Sequence, residues 1–227
     1  MSDIFKEVDE DVRREKHSEL WEKYGKYIIA IAVVVVAATA ATVSWREYSK
    51  NQMLEAGSNF AAAKALVVAQ KDAEAADAFA KLAAGSSAGY AAIARLEEAA
   101  ALARSKDVEA ALKIYDALAA DSSADQNFRQ LASLHAASHL LDGGDTAGAR
   151  SRLETLTSAS SPWRHSAREL LGLAAMAEGN TEEAIKTFKA LSEDATTPRG
   201  ARARAAEMLA ALGGAEYVMK WAELNKL

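Results

Sequence analysis

The apolar positions follow different rules in different parts of the chain. Residues 28–45 read IIAIAVVVVAATAATVSW and contain no charged side chain. Eighteen residues at about 1.5 Å each give about 27 Å of helix, close to the thickness of a bilayer's hydrocarbon. Tyr24 and Tyr27 stand at one end and Trp45 and Tyr48 at the other. Aromatic rings with a polar atom gather at the two membrane interfaces. The pattern predicts a transmembrane helix over 28–45. A buried core helix and a cleaved signal peptide compete with it, the latter through Ala38-Thr39-Ala40. The 27 preceding residues carry eight acids, whereas a signal peptide opens on a short basic stretch. An uncleaved anchor is the better fit.

Ahead of the span, Ile4, Phe5, Val8 and Val12 recur at helical spacing, as do Leu20 and Tyr24. An amphipathic helix and a disordered acidic tail both fit residues 1–27. After the span, no Pro or Gly intervenes from Tyr27 to Ala56. The helix is therefore expected to run on, ending near Gln70.

Beyond Gln70 the apolar pattern repeats. With Lys71, Asp107, Asp145 and Asn180 as origins, the fourth residue on is Ala75, Ala111, Ala149 or Ala184. The eighth is Phe79, Tyr115, Leu153 or Phe188, and the eleventh is Leu82, Leu118, Leu156 or Leu191. The origins lie 36, 38 and 35 residues apart. Offsets of four, eight and eleven share one side of a helix. Each unit thus predicts a helix with one small residue at a close crossing and two large ones beside it. The origins sit in turns: Gln70-Lys71-Asp72, Ser105-Lys106-Asp107, Asp142-Gly143-Gly144-Asp145 and Glu178-Gly179-Asn180. Gly accepts left-handed angles after a helix, and Asp or Asn caps the next one. Gly85-Ser86-Ser87, Asp121-Ser122-Ser123, Ser160-Ser161-Pro162 and Thr196-Thr197-Pro198 separate the units.

Composition supports helix: the chain is rich in Ala and has two prolines. It has no cysteine, so disulfides and thiolate metal sites are excluded. Residues 46–227 carry 21 Lys and Arg against 24 Asp and Glu. No basic face for nucleic acid is evident, and Arg199, Arg202 and Arg204 read as a solvated helix face. Arg13, Arg14, Lys16, Lys23 and Lys26 precede the span, and only Arg46 and Lys50 follow closely. The Lys and Arg excess stays inside. This orients the chain in a bacterial inner membrane with a cytoplasmic N-terminus and a periplasmic bulk.

Candidate chemistry is sparse. His135 and His139 have a zinc-compatible spacing of four, but two histidines without a third ligand read as ordinary helix residues. His165 opens a helix and reads as packing or surface. Glu97-Glu98 and Glu182-Glu183 are adjacent and point apart. Gly143-Gly144 lacks the longer loop and Lys of a phosphate cradle. No catalytic residue, cofactor, metal or small-molecule substrate is expected. An enzyme would need a site between distant helices.

These units resemble the tetratricopeptide repeat, a helix-turn-helix of about 34 residues. The family places another small residue twelve positions before the small Ala; here stand Ala63, Ala99, Ala137 and Gly172. Leu171-Gly172 resembles its Leu-Gly pair, and Pro162 and Pro198 its terminal proline. The repeats are slightly long, and the aromatic signature of the first helix is missing. The expected fold is all-α: a single N-terminal transmembrane helix, then a tetratricopeptide-like solenoid of about four repeats over 46–214. Residues 215–227 are expected to form a capping helix or tail, with Tyr217, Val218 and Trp221 as its apolar side. In this family the first helix of each unit lines a groove. The resemblance implies groove positions at Phe60, Ile93, Leu96, Leu131, Leu134, Leu141, Leu173 and Met176. An apolar groove takes an amphipathic helix or a hydrophobic strand. Packing between helices, or beneath the C-terminal segment, is the alternative, since a one-residue slip exchanges core and groove.

The layout, with Glu22-Lys23-Tyr24-Gly25-Lys26-Tyr27 entering the span, resembles the YfgM-like proteins, ancillary subunits of the SecYEG translocon. That resemblance implies SecYEG and a membrane-anchored periplasmic chaperone as partners, in a role assisting exported proteins. The alternative is a scaffold for cell division, cytochrome maturation or envelope assembly.

Overall fold

The computed structural model describes residues 2–213, with side chains from residue 21 onward. The expected C-terminal cap, 215–227, and the apolar side chains of residues 4–20 lie outside the described residues. The chain divides into two compact units, residues 1–55 and 56–227, each taken by itself below. Every regular element among the described residues is an α-helix.

In the first unit, the described residues belong to α1 (Ser2–Val68). The helix is long and apolar enough to cross a membrane, by length and composition, and none of its apolar window is buried among the described residues. Ile28, Ile29, Ile31, Val33, Val34, Val35, Val36 and Val43 are all exposed. The threonines within the stretch are satisfied locally. Thr39 donates to the carbonyl of Val35 and Thr42 to that of Thr39, each at 2.8 Å. Such bonds let a hydroxyl sit in hydrocarbon without an orphan donor. At the N-terminal end the ammonium groups of Lys23 and Lys26 lie 5.5 and 5.3 Å from the ring centres of Tyr24 and Tyr27. Gly25 is buried beneath Trp21, where a Cβ would stand 3.2 Å from the indole.

In the second unit, the end of α1 and α2 (Asp72–Gly85) make the first hairpin. The next are α3 (Ala88–Arg104) with α4 (Val108–Ala120), α5 (Gln126–Asp142) with α6 (Thr146–Glu154), and α7 (Arg164–Ala177) with α8 (Thr181–Glu193). α9 (Arg199–Gly213) follows. The four hairpin turns share one geometry. Their third-last helical carbonyls, Leu66, Leu102, Leu140 and Ala175, accept from the amides of Lys71, Asp107, Asp145 and Asn180 at 2.8–2.9 Å. Closing that loop needs a left-handed residue at the centre. The residues there are Gln70, Lys106, Gly144 and Gly179, with φ of 59°, 73°, 83° and 74°. Side chains of Asp107, Asp145 and Asn180 then cap the following helix, accepting from the Ala110, Gly148 and Glu183 amides. Lys71 at the first turn makes no cap bond.

The repeat arithmetic is the core. Ala75, Ala111, Ala149 and Ala184, the large residues at the eighth position, and the four leucines are all buried. Ala63, Ala99, Ala137 and Gly172 are buried opposite them. A Cβ on Gly172 would lie 2.7 Å from Cζ of Phe188, so only glycine admits that ring. Each second helix is the centre of one apolar cluster, clasped by the first helices on either side. α2 lies between α1 and α3, and α4 between α3 and α5. α6 lies between α5 and α7, and α8 between α7 and α9. No hairpin buries its own apolar face; neighbours complete it.

Charged side chains tie neighbouring hairpins. Arg150 of α6 donates to both carboxylate oxygens of Glu178 and to Glu183. These bonds hold its guanidinium firmly protonated. Within a hairpin, the pair of Arg95 and Asp121 at 2.7 Å recurs two repeats later as Arg168 and Asp194 at 3.6 Å.

Candidate functional site

First helices touch first helices: α3 meets α5, α5 meets α7 and α7 meets α9. Among the described residues, second helices do not approach one another in this way; α6 and α4 are joined through the long side chains of Arg152 and Asp116, at 2.7 Å. The first helices thus form a row of direct neighbours.

The eight expected groove residues fall on this row and differ in exposure. Phe60 is half-buried, with its ring centre 5.5 Å from that of Phe79. Leu96 packs on the cluster around α4, Leu134 and Leu141 on that around α6, and Met176 on that around α8. Ile93 and Leu131 are half-buried. Leu173 is the one exposed residue of the eight, at 37%. Val68, at the end of α1, is more exposed still, at 84%.

Polar side chains alternate with these apolar ones. Lys64 of α1 pairs with Glu97 of α3 at 3.0 Å. Arg204 of α9 forms a two-pronged bond with Glu169 of α7 at 2.6 and 2.7 Å. Arg104 of α3 reaches back to Asp72 of α2 at 2.7 Å. His135 and His139 both stack on the ring of Tyr115, with centres 5.6 and 5.9 Å apart and planes tilted by 21° and 20°. Burial pushes the Tyr115 phenol up to about 12. Burial, then the neighbouring His139, lowers His135. Their spacing of four thus serves a stacked pair over one ring. Among the described residues no group of three or more His, Cys, Asp or Glu is placed to hold a metal.

The cross-helix ion pairs and the histidine stack leave no signal in the local sequence. Their partners stand far apart along the chain, and only the repeat register brings them together. Chemically, the row offers a mixed surface of half-buried apolar side chains and paired charges.

The sequence matches the tetratricopeptide repeat-like domain family over residues 18–212. No curated protein sequence matches the chain. Among solved structures it is similar to tetratricopeptide-like repeats from Podosopora anserina, in a protein assigned as a kinesin light chain whose repeats are nearly identical. That structure has 17% identity and a TM-score of 0.54, and the match covers 74% of this chain and 89% of that one. A variant of the same repeats, with methionine in place of one glutamine, gives 18% and 0.55 over the same shares. At such identities the likeness concerns the fold alone.

Proposed function

This chain belongs to the tetratricopeptide repeat-like family, and from that membership we propose that it is a membrane-anchored protein-interaction module of the inner membrane, an ancillary subunit of the Sec translocon of the YfgM-like kind. The observation that carries the reading is α1 itself. One uninterrupted helix includes the apolar stretch and the first helix of the repeat array. The family match begins at residue 18, ahead of that stretch, so it takes in the apolar stretch as well as the hairpins.

Physically, the module works by tethering. An anchor that confines a binding surface near an exit pore raises its effective concentration for emerging chains or a neighbouring subunit. Contact is then made by the first-helix row, with Leu173 and Val68 as its exposed apolar points and the flanking ion pairs limiting non-specific adhesion. The partners on this reading are SecYEG and a membrane-anchored periplasmic chaperone, with the N-terminus in the cytoplasm and the repeats in the periplasm. A recognition surface needs no catalytic group, and the reading assigns none.

The test is extraction and co-purification. The native chain should resist alkaline extraction from membranes and co-purify with SecYEG after mild detergent solubilisation. Recovery of one stoichiometric envelope partner without SecYEG would assign the scaffold role instead. Release into the soluble fraction would refute the anchor.

A further inference from the structure

His165, at the start of α7, does not belong to the first-helix contact row. It is only 6% exposed. Nδ1 lies 3.1 Å from the hydroxyl of Thr197, which is itself buried in the connector from α8 to α9. Nε2 is shut off from solvent and, among the described residues, has no partner. The charged groups facing the ring come from two elements. Arg164 and Arg168 stand on its own helix, and Asp194 on the connector. Arg164 donates to the Thr196 hydroxyl at 3.3 Å, and Arg168 reaches Asp194 at 3.6 Å. The Thr196 amide and hydroxyl hold the Asp194 carboxylate at 2.8 and 2.6 Å. Both arginines are therefore pinned beside the imidazole.

This arrangement accepts a neutral ring and resists a charged one. A neutral imidazole uses one nitrogen on Thr197 and leaves the other unpaired. An imidazolium has two N–H donors, of which Nε2–H finds no acceptor among the described residues, and it adds a third cation to Arg164 and Arg168. Asp194 attracts it, but that carboxylate is already engaged by Thr196 and Arg168. We propose that His165 is an acid-sensitive latch: neutral, it holds the α8–α9 connector and α9 against α7; protonated, it lets them go.

The sign follows from linkage. Burial first, then Arg164, lowers the folded-state affinity of His165 for protons below the ordinary 6.5, and Asp194 opposes this more weakly. The unfolded chain then binds the proton more readily. The latch is fully closed above pH 6.5 and weakens as pH falls through the folded-state value. Opening should rise on the order of tenfold for each pH unit of that depression.

The experiment is hydrogen exchange on the full chain in detergent at pH 7.5 and 5, corrected for the intrinsic pH dependence, in the native protein and His165→Asn. The native protein should lose protection at the amides of Thr197 and Arg202 at pH 5, while those of α4 keep theirs. His165→Asn, which cannot titrate, should show no such pH dependence. An NMR titration of His165 in the native chain decides the matter if the variant fails to fold. A midpoint below 6.5 supports the latch. A midpoint at or above 6.5, or equal acid loss in both proteins, overturns it.

Discussion

At the residue scale, the four hairpin turns form an internal comparison. Equivalent backbone positions hold Gly144 and Gly179 in two turns and Gln70 and Lys106 in the others, all with positive φ. A left-handed angle costs a side chain about 1 kcal/mol. Gln70→Gly and Lys106→Gly are therefore expected to stabilise the fold by up to about 1 kcal/mol, and Gly179→Ala to weaken it by a similar amount. Urea denaturation of each variant checks this. Lys71 is the other irregularity, standing where Asp107, Asp145 and Asn180 cap. Lys71→Asp should add about 1 kcal/mol by supplying the missing acceptor. Gly172 is held by a different constraint, the Phe188 ring at its Cα. Gly172→Ala should cost about 1–3 kcal/mol by overpacking, and the loss should shrink if Phe188→Leu is made as well.

At the element scale, what the sequence revealed and what it hid divide along one line. Offsets of four, eight and eleven lie within a single helix, so their burial follows from periodicity alone. The left-handed turns were equally local, although Gln70 and Lys106 carry no glycine to announce them. The first-helix row is different. Leu134 and Leu173 both sit on first helices at predicted groove positions. Leu134 packs on the cluster around α6, while Leu173 is exposed. A first helix is clasped on two sides, and its remaining face is narrow, so the helical rotation decides exposure. The Tyr115 stack and the Lys64–Glu97 pair were hidden for the same reason, since they span two hairpins. Leu173→Glu should leave stability within about 0.5 kcal/mol and reduce partner capture. Leu134→Glu should lower the unfolding midpoint as well, because it strips an apolar contact from a cluster. Thermal unfolding and pull-down from solubilised membranes, run in parallel, separate the two. Equal stability losses would show that the first-helix row is core throughout.

At the scale of the whole molecule, the four clusters are serial. Each second helix is completed by the first helix of the next hairpin, so stability accumulates along the array. The first cluster begins at Ala56, beyond the apolar stretch. Residues 46–227 alone should therefore fold in water without detergent, with a fully helical circular dichroism spectrum and a melting transition. Aggregation of that fragment would mean that the anchor contributes to the fold as well as to its location.

The central claim is that a helical interaction surface is held beside the translocon by its own anchor. Photo-crosslinking in intact membranes, from probes at Trp45 and Leu173, tests it most directly. The account predicts SecYEG adducts from position 45 and adducts with a periplasmic chaperone or an exported chain from position 173. Adducts from neither position, with the protein recovered in the soluble fraction, would contradict it.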